Sequence, residues 1–189
     1  MKERDFIQNK KLTMQKLEKA KKEGRVDIEI VPILDIINSY EEYYTSSSCY
    51  GRIVLLELPK LGDKKNAKWL GKWHRKITSK EFFDAFSKAE KGMLWLLAQS
   101  PIIHIFAIDI KSADKLVKTA VSCGFKHSGF KTADKNIIVE LSSTERLDSP
   151  IGYDKTLFYN KENIDFLVDI ANDVFEKSNE KLMKLKDRL

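Results

Sequence analysis

The sequence predicts an α/β fold, in the broad sense that includes α+β, in which two α/β halves share one mixed sheet. Three observations carry this. Helical periodicity alternates with short apolar runs along all 189 residues. The run "PIIHIFAIDI" (101–110) is apolar on both faces, which suits a central strand. Lastly, "SKEFFDAF" (79–86) and "NKENIDFL" (160–167) agree at the cap residue, Lys, Glu and Asp, a faint sign of repeats at about 27–98 and 101–189. Capping boxes recur in unrelated chains, so this match alone does not establish a duplication. Two shared halves would set polar clusters at equivalent strand ends across a cleft.

The elements follow in order. Residues 3–23 read as a helix with Phe6, Ile7, Met14 and Leu17 inward and Gly24 as its C-cap. Pro32 suits the first turn of a second helix. "SSSCYGRIVLLELPK" is strand, bend and strand, and "LGDKKNAKWLGKWHRKI" a turn with a short strand. "TSKEFFDAFSKAEKGMLWLLAQS" predicts one strong helix, capped by Thr78 or Ser79, because Phe82, Phe86, Ala89, Met93 and Leu96 alternate by four and three. After the central strand, "SADKLVKTAVSCGF" is a helix closed by Gly124. "KHSGFKTADKNIIVELSS" is a hairpin around "ADKN", and "TLFYN" is a strand. A long C-terminal helix buries Ile164, Val168, Ala171, Phe175, Ser178 and Leu182.

Composition narrows the function classes. Hydrophobic content of 42% with 33% charged residues fits one soluble domain spanning 1–189. No apolar run approaches a membrane span, and "MKERDFIQNKKL" is too charged for a secretory signal. Two cysteines without metal spacing, Cys49 and Cys123, suit a reducing cytoplasm. Of the net charge of +6, residues 1–25 carry +5, nine bases against four acids. The basic helix at 1–24, with Lys10 and Lys11 at its middle, is either a solvated face or a phosphate-binding footprint.

No glycine loop of the dinucleotide type, no phosphate loop and no nucleophile elbow is present. What remains is "TSSSC" (45–49), four hydroxyl residues and a cysteine ahead of Gly51 and Arg52. Glycine permits close backbone approach, and the guanidinium offers a fork to a carboxylate or phosphate, although a structural salt bridge is the commoner fate. Alternation puts His104 with Ile102 and Phe106 on one strand face, and Ile103 and Ile105 on the other. A histidine there must find a partner, either as a satisfied core residue or as a functional base. His74 in "KWHRK" and His127 in "KHSG" read as surface residues.

These segments resemble the tRNA wybutosine-synthesizing protein 3 family. "YYTSSSCYGRI" is similar to its S-S-C-S-G-R signature, and "GRVDIEIVPILDIINS" to its opening segment. "KWLGKWH", "SPIIHIFAIDI", "AVSCGFKHSGF", "RLDSPIG" and "DIANDVFEKSNEK" match further family segments in the right order, over roughly residues 5–185. Tyr50 departs from the signature's small serine, and Arg75 follows His74 where the family carries an aspartate.

The resemblance implies an S-adenosylmethionine-dependent methyltransferase acting on N4 of the 4-demethylwyosine base at position 37, in the anticodon loop of tRNA-Phe. It implies two α/β repeats around a sheet closed into a barrel, with helices outside and no Rossmann topology. It assigns no metal and no membrane partner. On that reading Ser46, Ser47, Ser48, Cys49, Gly51, Ser128 and Gly129 hold the cofactor, with Ser46 and Ser48 alternating against Ser47 and Cys49. His104 is the candidate base, His74 the second, and Arg52 holds a carboxylate of the cofactor or of the base. Tyr50 or Trp73 stacks on the substrate base, and Lys10 and Lys11 meet the RNA. Two other classes compete: a non-catalytic tRNA-binding module, and a metal-assisted hydrolase built on Cys49, His74 and His104.

Overall fold

At Gly51 the backbone takes a φ of +96°, which glycine adopts without strain, and the strands on either side of it join different sheets. The computed structural model describes residues 3–189; Met1 and Lys2, the latter counted in the basic arm, lie outside the described residues. In chain order the elements begin with α1 (Glu3–Lys22), a 3-10 turn at Ile28–Ile30, α2 (Val31–Ser39), β1 (Tyr43–Cys49) and β2 (Arg52–Leu58). A second 3-10 turn at Lys64–Asn66 leads to β3 (Lys68–Trp73), α3 (Ser79–Phe86), β4 (Met93–Gln99) and β5 (Ile102–Ala107). Next come α4 (Ile110–Ser122), β6 (Gly129–Ala133), β7 (Ile137–Ser142), β8 (Arg146–Tyr153), β9 (Thr156–Leu157) and α5 (Lys161–Arg188). Among the described residues, no helix is long and apolar enough to cross a membrane.

The chain divides into two compact units. The first runs to Tyr50 and adds Pro101–Thr144 and Asn179–Leu189. Its sheet, in the order β1-β5-β7-β6, is antiparallel throughout, and β5 is an inner strand as the apolar run predicts. Ile103 and Ile105 are fully buried, in one core with Ile33 and Ile37 of α2, Leu116 of α4 and Leu182 of α5. Each such side chain contributes roughly 1.5–3 kcal/mol by leaving water. On the other face Phe106 stacks on Tyr44, with centroids 4.7 Å apart, and Phe6 of α1 meets Tyr44 at 5.0 Å. Phe6 is the buried anchor of α1; Ile7, expected inward, is 60% exposed, and Met14 and Leu17 are half-buried. Gly24, at φ +65°, closes α1 as expected.

The second unit comprises Gly51–Ser100 and Glu145–Ser178. Its antiparallel sheet has the order β3-β2-β4-β8-β9. Ile53, Leu55, Leu94, Leu96 and Ala98 are fully buried on one face. The predicted stripe of α5 is buried at every position, Ile164 through Leu182. Asn172 of that helix clasps Ile77, accepting from its N–H and donating to its carbonyl, both at 2.8 Å.

Four expectations are corrected. One shared mixed sheet is replaced by two antiparallel sheets of four and five strands, because each strand completes its ladder within its own unit. In neither do the outermost strands pair with each other, so neither closes as a barrel. The long helix from Thr78 ends at Phe86, and Met93–Gln99 is instead β4, paired in full with β2 and β8. "MLWLLAQ" is apolar at nearly every position, so a fit to helical spacing does not discriminate there. Gly92, at φ +117°, breaks the run, and a Cβ on it would lie 2.2 Å from the Leu58 carbonyl oxygen. "TLFYN" yields only Thr156–Leu157, which pairs back across Asp154 and Lys155, both at positive φ. The strand β8, given no element from sequence, carries Asp148, Ser149 and Pro150, which interrupt its apolar pattern.

Candidate active site

The first unit gathers most of the predicted residues. Asn38 of α2 pins the start of the serine run: its amide donates to Thr45 Oγ1 at 2.9 Å and accepts from Thr45 N–H at 2.8 Å. Directly after Thr45 the register with β5 shifts, so that Thr45 pairs with Ile105 but Ser47 with His104. This bulge breaks the strict alternation expected of Ser46/Ser48 against Ser47/Cys49 and re-aims the hydroxyls. Ser47 Oγ lies 2.7 Å from His104 Nδ1. His104 Nε2 lies 2.7 Å from Glu140 Oε2, and Lys131 Nζ donates to that same oxygen at 2.8 Å.

Charge fixes the direction of these bonds. Lys131 first, and His104 after it, hold the Glu140 carboxyl below the usual carboxylate range against the opposing effect of burial. An ionised carboxylate can only accept, so His104 donates to it through Nε2–H. When the ring carries that one proton, Nδ1 is left to accept from the Ser47 hydroxyl. The side chains of His104 and Glu140 are 28% and 25% exposed, open enough for a ligand to reach. His104 is thus a partnered histidine at an accessible sheet face, not a core residue.

A cavity of about 440 Å³ opens beside this strand, within the range of small-molecule sites. Ser46, Ser47 and Ser48 line it with Thr13 and Thr45; Leu17, Val26 and Leu34 make it partly apolar; Lys16 and Arg25 bring positive charge. Arg25 is shared with Glu23 at 2.5 Å. Ser128 Oγ accepts from Ser142 N–H at 3.2 Å, and Gly129 pairs opposite Glu140 with open space where a side chain would project. Cys49 is half-buried. The Tyr50 ring packs against the core and its N–H donates to Asp27 Oδ2 at 2.8 Å. Lys10 donates to the Tyr40 carbonyl, and its burial lowers its pKa; Lys11 is exposed.

Gly51, Arg52, Trp73 and His74 fall in the second unit. Arg52 Nε donates to Gln99 Oε1 at 2.7 Å, and its guanidinium carbon lies 4.8 Å from the Trp69 ring centroid. Trp73 pairs opposite buried Ile53, and its ring fills the space a side chain on Gly71 would need. His74 is half-buried. Arg75 forks onto Glu81 at 2.5 and 3.2 Å, and this, with the Thr78 N–H, holds the Glu81 carboxyl down at about 2.

A family model described as Methyltransferase TYW3 matches residues 8–189. The chain belongs to that family. Its relatives include a Pyrococcus horikoshii protein named tRNA(Phe) 7-((3-amino-3-carboxypropyl)-4-demethylwyosine(37)-N(4))-methyltransferase 1, 46% identical over 98% of this chain and 95% of the relative. A Methanocaldococcus jannaschii protein of the same name, without the final number, is 41% identical over 97% of this chain and 96% of its own length. A solved structure of a Pyrococcus horikoshii protein, at 46% identity, superposes with a TM-score of 0.94 over 98% of this chain and 96% of that one. One from Aeropyrum pernix shares the fold, with a TM-score of 0.73 at 24% identity, over 86% of this chain and 99% of that one.

In this TYW3 family member, Glu140 and Lys131 complete the histidine's surroundings, and sequence reasoning missed both. A signal existed. In "NIIVELS", Val139 and Leu141 are buried, and Glu140 is the one acid on the face that β7 shares with His104.

Proposed function

We propose that this chain methylates N4 of the 4-demethylwyosine-type base, bearing its 3-amino-3-carboxypropyl group, at position 37 in the anticodon loop of tRNA-Phe. The methyl donor in this reading is S-adenosylmethionine, and the setting is the cytoplasm. The reading rests on one observation: the Ser47–His104–Glu140 hydrogen-bond chain adjoins a hydroxyl-lined cavity within one unit. The family membership and the relatives' names agree with it.

The donor set suits the cofactor. Leu17, Val26 and Leu34 offer apolar surface to a purine, the hydroxyls of Ser46 and Ser48 suit a ribose, and Lys16 or Arg25 suits a carboxylate. Antiparallel sheets and the missing glycine loop argue against a Rossmann mode of holding it. Bound there, S-adenosylmethionine supplies an electrophilic methyl group. The protein's own task is to place the acceptor nitrogen and remove its proton. The Ser47 hydroxyl passes a proton to His104 Nδ1 as it takes one from the acceptor nitrogen. Glu140 then stabilises the imidazolium, and Lys131 keeps Glu140 ionised. Positioning carries most of the rate, and the base adds on the order of 10²-fold. His74 is the second candidate base. Gly129, paired opposite Glu140, and Ser128, which accepts from the Ser142 N–H, bound the open side.

The test is nucleoside mass spectrometry of demethylwyosine-bearing tRNA-Phe after incubation with protein and S-adenosylmethionine. A gain of one methyl on that base is expected; its absence with folded protein and intact tRNA sinks the reading. Calorimetry with S-adenosylhomocysteine separates the rival, since a non-catalytic RNA-binding module gives no heat.

A further inference from the structure

The second unit carries a site that the proposed chemistry does not use. On its five-stranded sheet Arg52 pairs opposite Gln99, Leu56 opposite both Trp69 and Trp95, and Gln99 opposite Arg146, so these residues share one face. They line a cavity of about 540 Å³. Trp69 is half exposed, with the Arg52 guanidinium over its ring at 4.8 Å and Lys72 Nζ at 5.9 Å. Arg52 is anchored through Nε alone; its two terminal amino groups make no hydrogen bond or ion pair among the described residues. The indole N–H of Trp95 is buried with no acceptor among the described residues.

Each of these features asks for the same kind of ligand. A half-exposed tryptophan beside Leu56 and Leu97 is a stacking platform for an aromatic ring. A buried donor without a partner is costly unless a ligand supplies an acceptor, and heterocycle nitrogens and carbonyls do so. The free ends of Arg52 form a fork that suits an anion. Arg52, Arg146 and Lys64 outnumber Asp148, which already accepts from Arg146. The excess is positive. It disfavours the sulfonium of the methyl donor and favours a phosphodiester.

We propose that this face binds one nucleotide of the single-stranded loop of the RNA substrate, its base stacked on Trp69 with an acceptor on the Trp95 N–H, and its phosphate on Arg52 and Arg146. This rests on the reading of the chain as an RNA-modifying enzyme. Stacking accepts any base, so the contact holds the strand without reading its sequence.

The test uses the full chain and a fluorescently labelled single-stranded RNA heptamer, with affinity read by anisotropy at several salt concentrations. Arg52→Gln and Trp69→Leu are each expected to weaken binding about tenfold. Trp69→Phe, which keeps an aromatic face, should retain most of it. The salt slope of Arg52→Gln should be shallower by roughly 0.7, the value of one lost phosphate contact to a single strand. S-adenosylhomocysteine affinity should stay within about twofold of wild type in both Trp69 variants. Unchanged heptamer affinity and slope in Arg52→Gln and Trp69→Leu would overturn the site. So would displacement of the heptamer by S-adenosylhomocysteine, which would give the cavity to the cofactor. The two readings separate cleanly: a chain that binds the heptamer in this way yet transfers no methyl group loses the proposed activity and keeps this site. An active enzyme whose variants bind RNA normally loses this site alone.

Discussion

Glu140 Oε2 lies 2.7 Å from His104 Nε2, and that contact decides which nitrogen of the ring can act as a base. The carboxylate demands the Nε2–H tautomer and leaves the Nδ1 lone pair facing Ser47. Glu140→Gln keeps the shape but can donate to Nε2, which admits the opposite tautomer. Its kcat should fall by on the order of 10²-fold with KM little changed, since a base acts in the transition state. His104→Gln should lose about as much, and the double variant little more than either, because the two residues work as a unit. Fully additive losses in single-turnover kinetics would separate their roles.

The hydroxyl-lined cavity allows a test by filling. Ala20 of α1 is half-buried and lines it, so Ala20→Phe places a ring where a ligand must sit. S-adenosylhomocysteine affinity by calorimetry should drop at least about tenfold, near 1.4 kcal/mol. The melting temperature should move little, since the ring enters open space instead of a packed core. Normal affinity in this variant would place the cofactor elsewhere.

How much of this was legible beforehand depends on which signal each segment carried. β5 is readable because its apolar run is short, rich in isoleucine and set off by Pro101, and the stripe of α5 because a 3.6 repeat runs from Ile164 to Leu182. β4 was misread since Met93–Leu97 is apolar on both faces and fits either period. His104, the serine run and Arg52 stood out as polar residues beside apolar strands. Glu140 and Trp69 did not, because what joins them to His104 and Arg52 is strand pairing and a ring contact, both set by register. The bulge after Thr45 inverted the expected serine alternation, and nothing local in "TSSSC" announces it. The division into two sheets at Gly51 is likewise set by which strands pair, which composition alone leaves open.

Glu81 gives the fold a signature in acid. Its carboxyl is held at about 2 by the Arg75 fork and the Thr78 cap, below the ordinary value of roughly 4.3 for an unfolded chain. A depressed folded value means stability that is complete above about pH 4.3 and is lost as pH falls towards 2. The Arg75 side chain is 61% exposed, so solvent screening cuts the contribution to about 1 kcal/mol, typical of a cap. Glu81→Gln should therefore be less stable at pH 7 by about that amount, and should lose less between pH 5 and 2. Urea denaturation across that range measures both; parallel pH profiles for variant and wild type would refute the assignment.

The basic arm needs a test that leaves α1 in place, because Phe6 is buried and Lys21 bridges Glu18 and Asp35 at 2.7 and 2.5 Å. Deleting the helix would remove packing together with charge. Arg4, Lys11 and Lys22 are exposed, make no ion pair among the described residues and lie outside the serine cavity that Lys16 lines, so they are charges free to meet phosphate. Replacing all three with Gln should weaken tRNA binding and flatten its logarithmic salt slope. Each lost contact should take away roughly 0.7 to 0.9. S-adenosylhomocysteine affinity and the melting temperature should hold, since none of the three lines the serine cavity or enters the core. A slope identical to wild type would make this face of α1 a solvated surface. The chain would then have to grip its RNA through other residues.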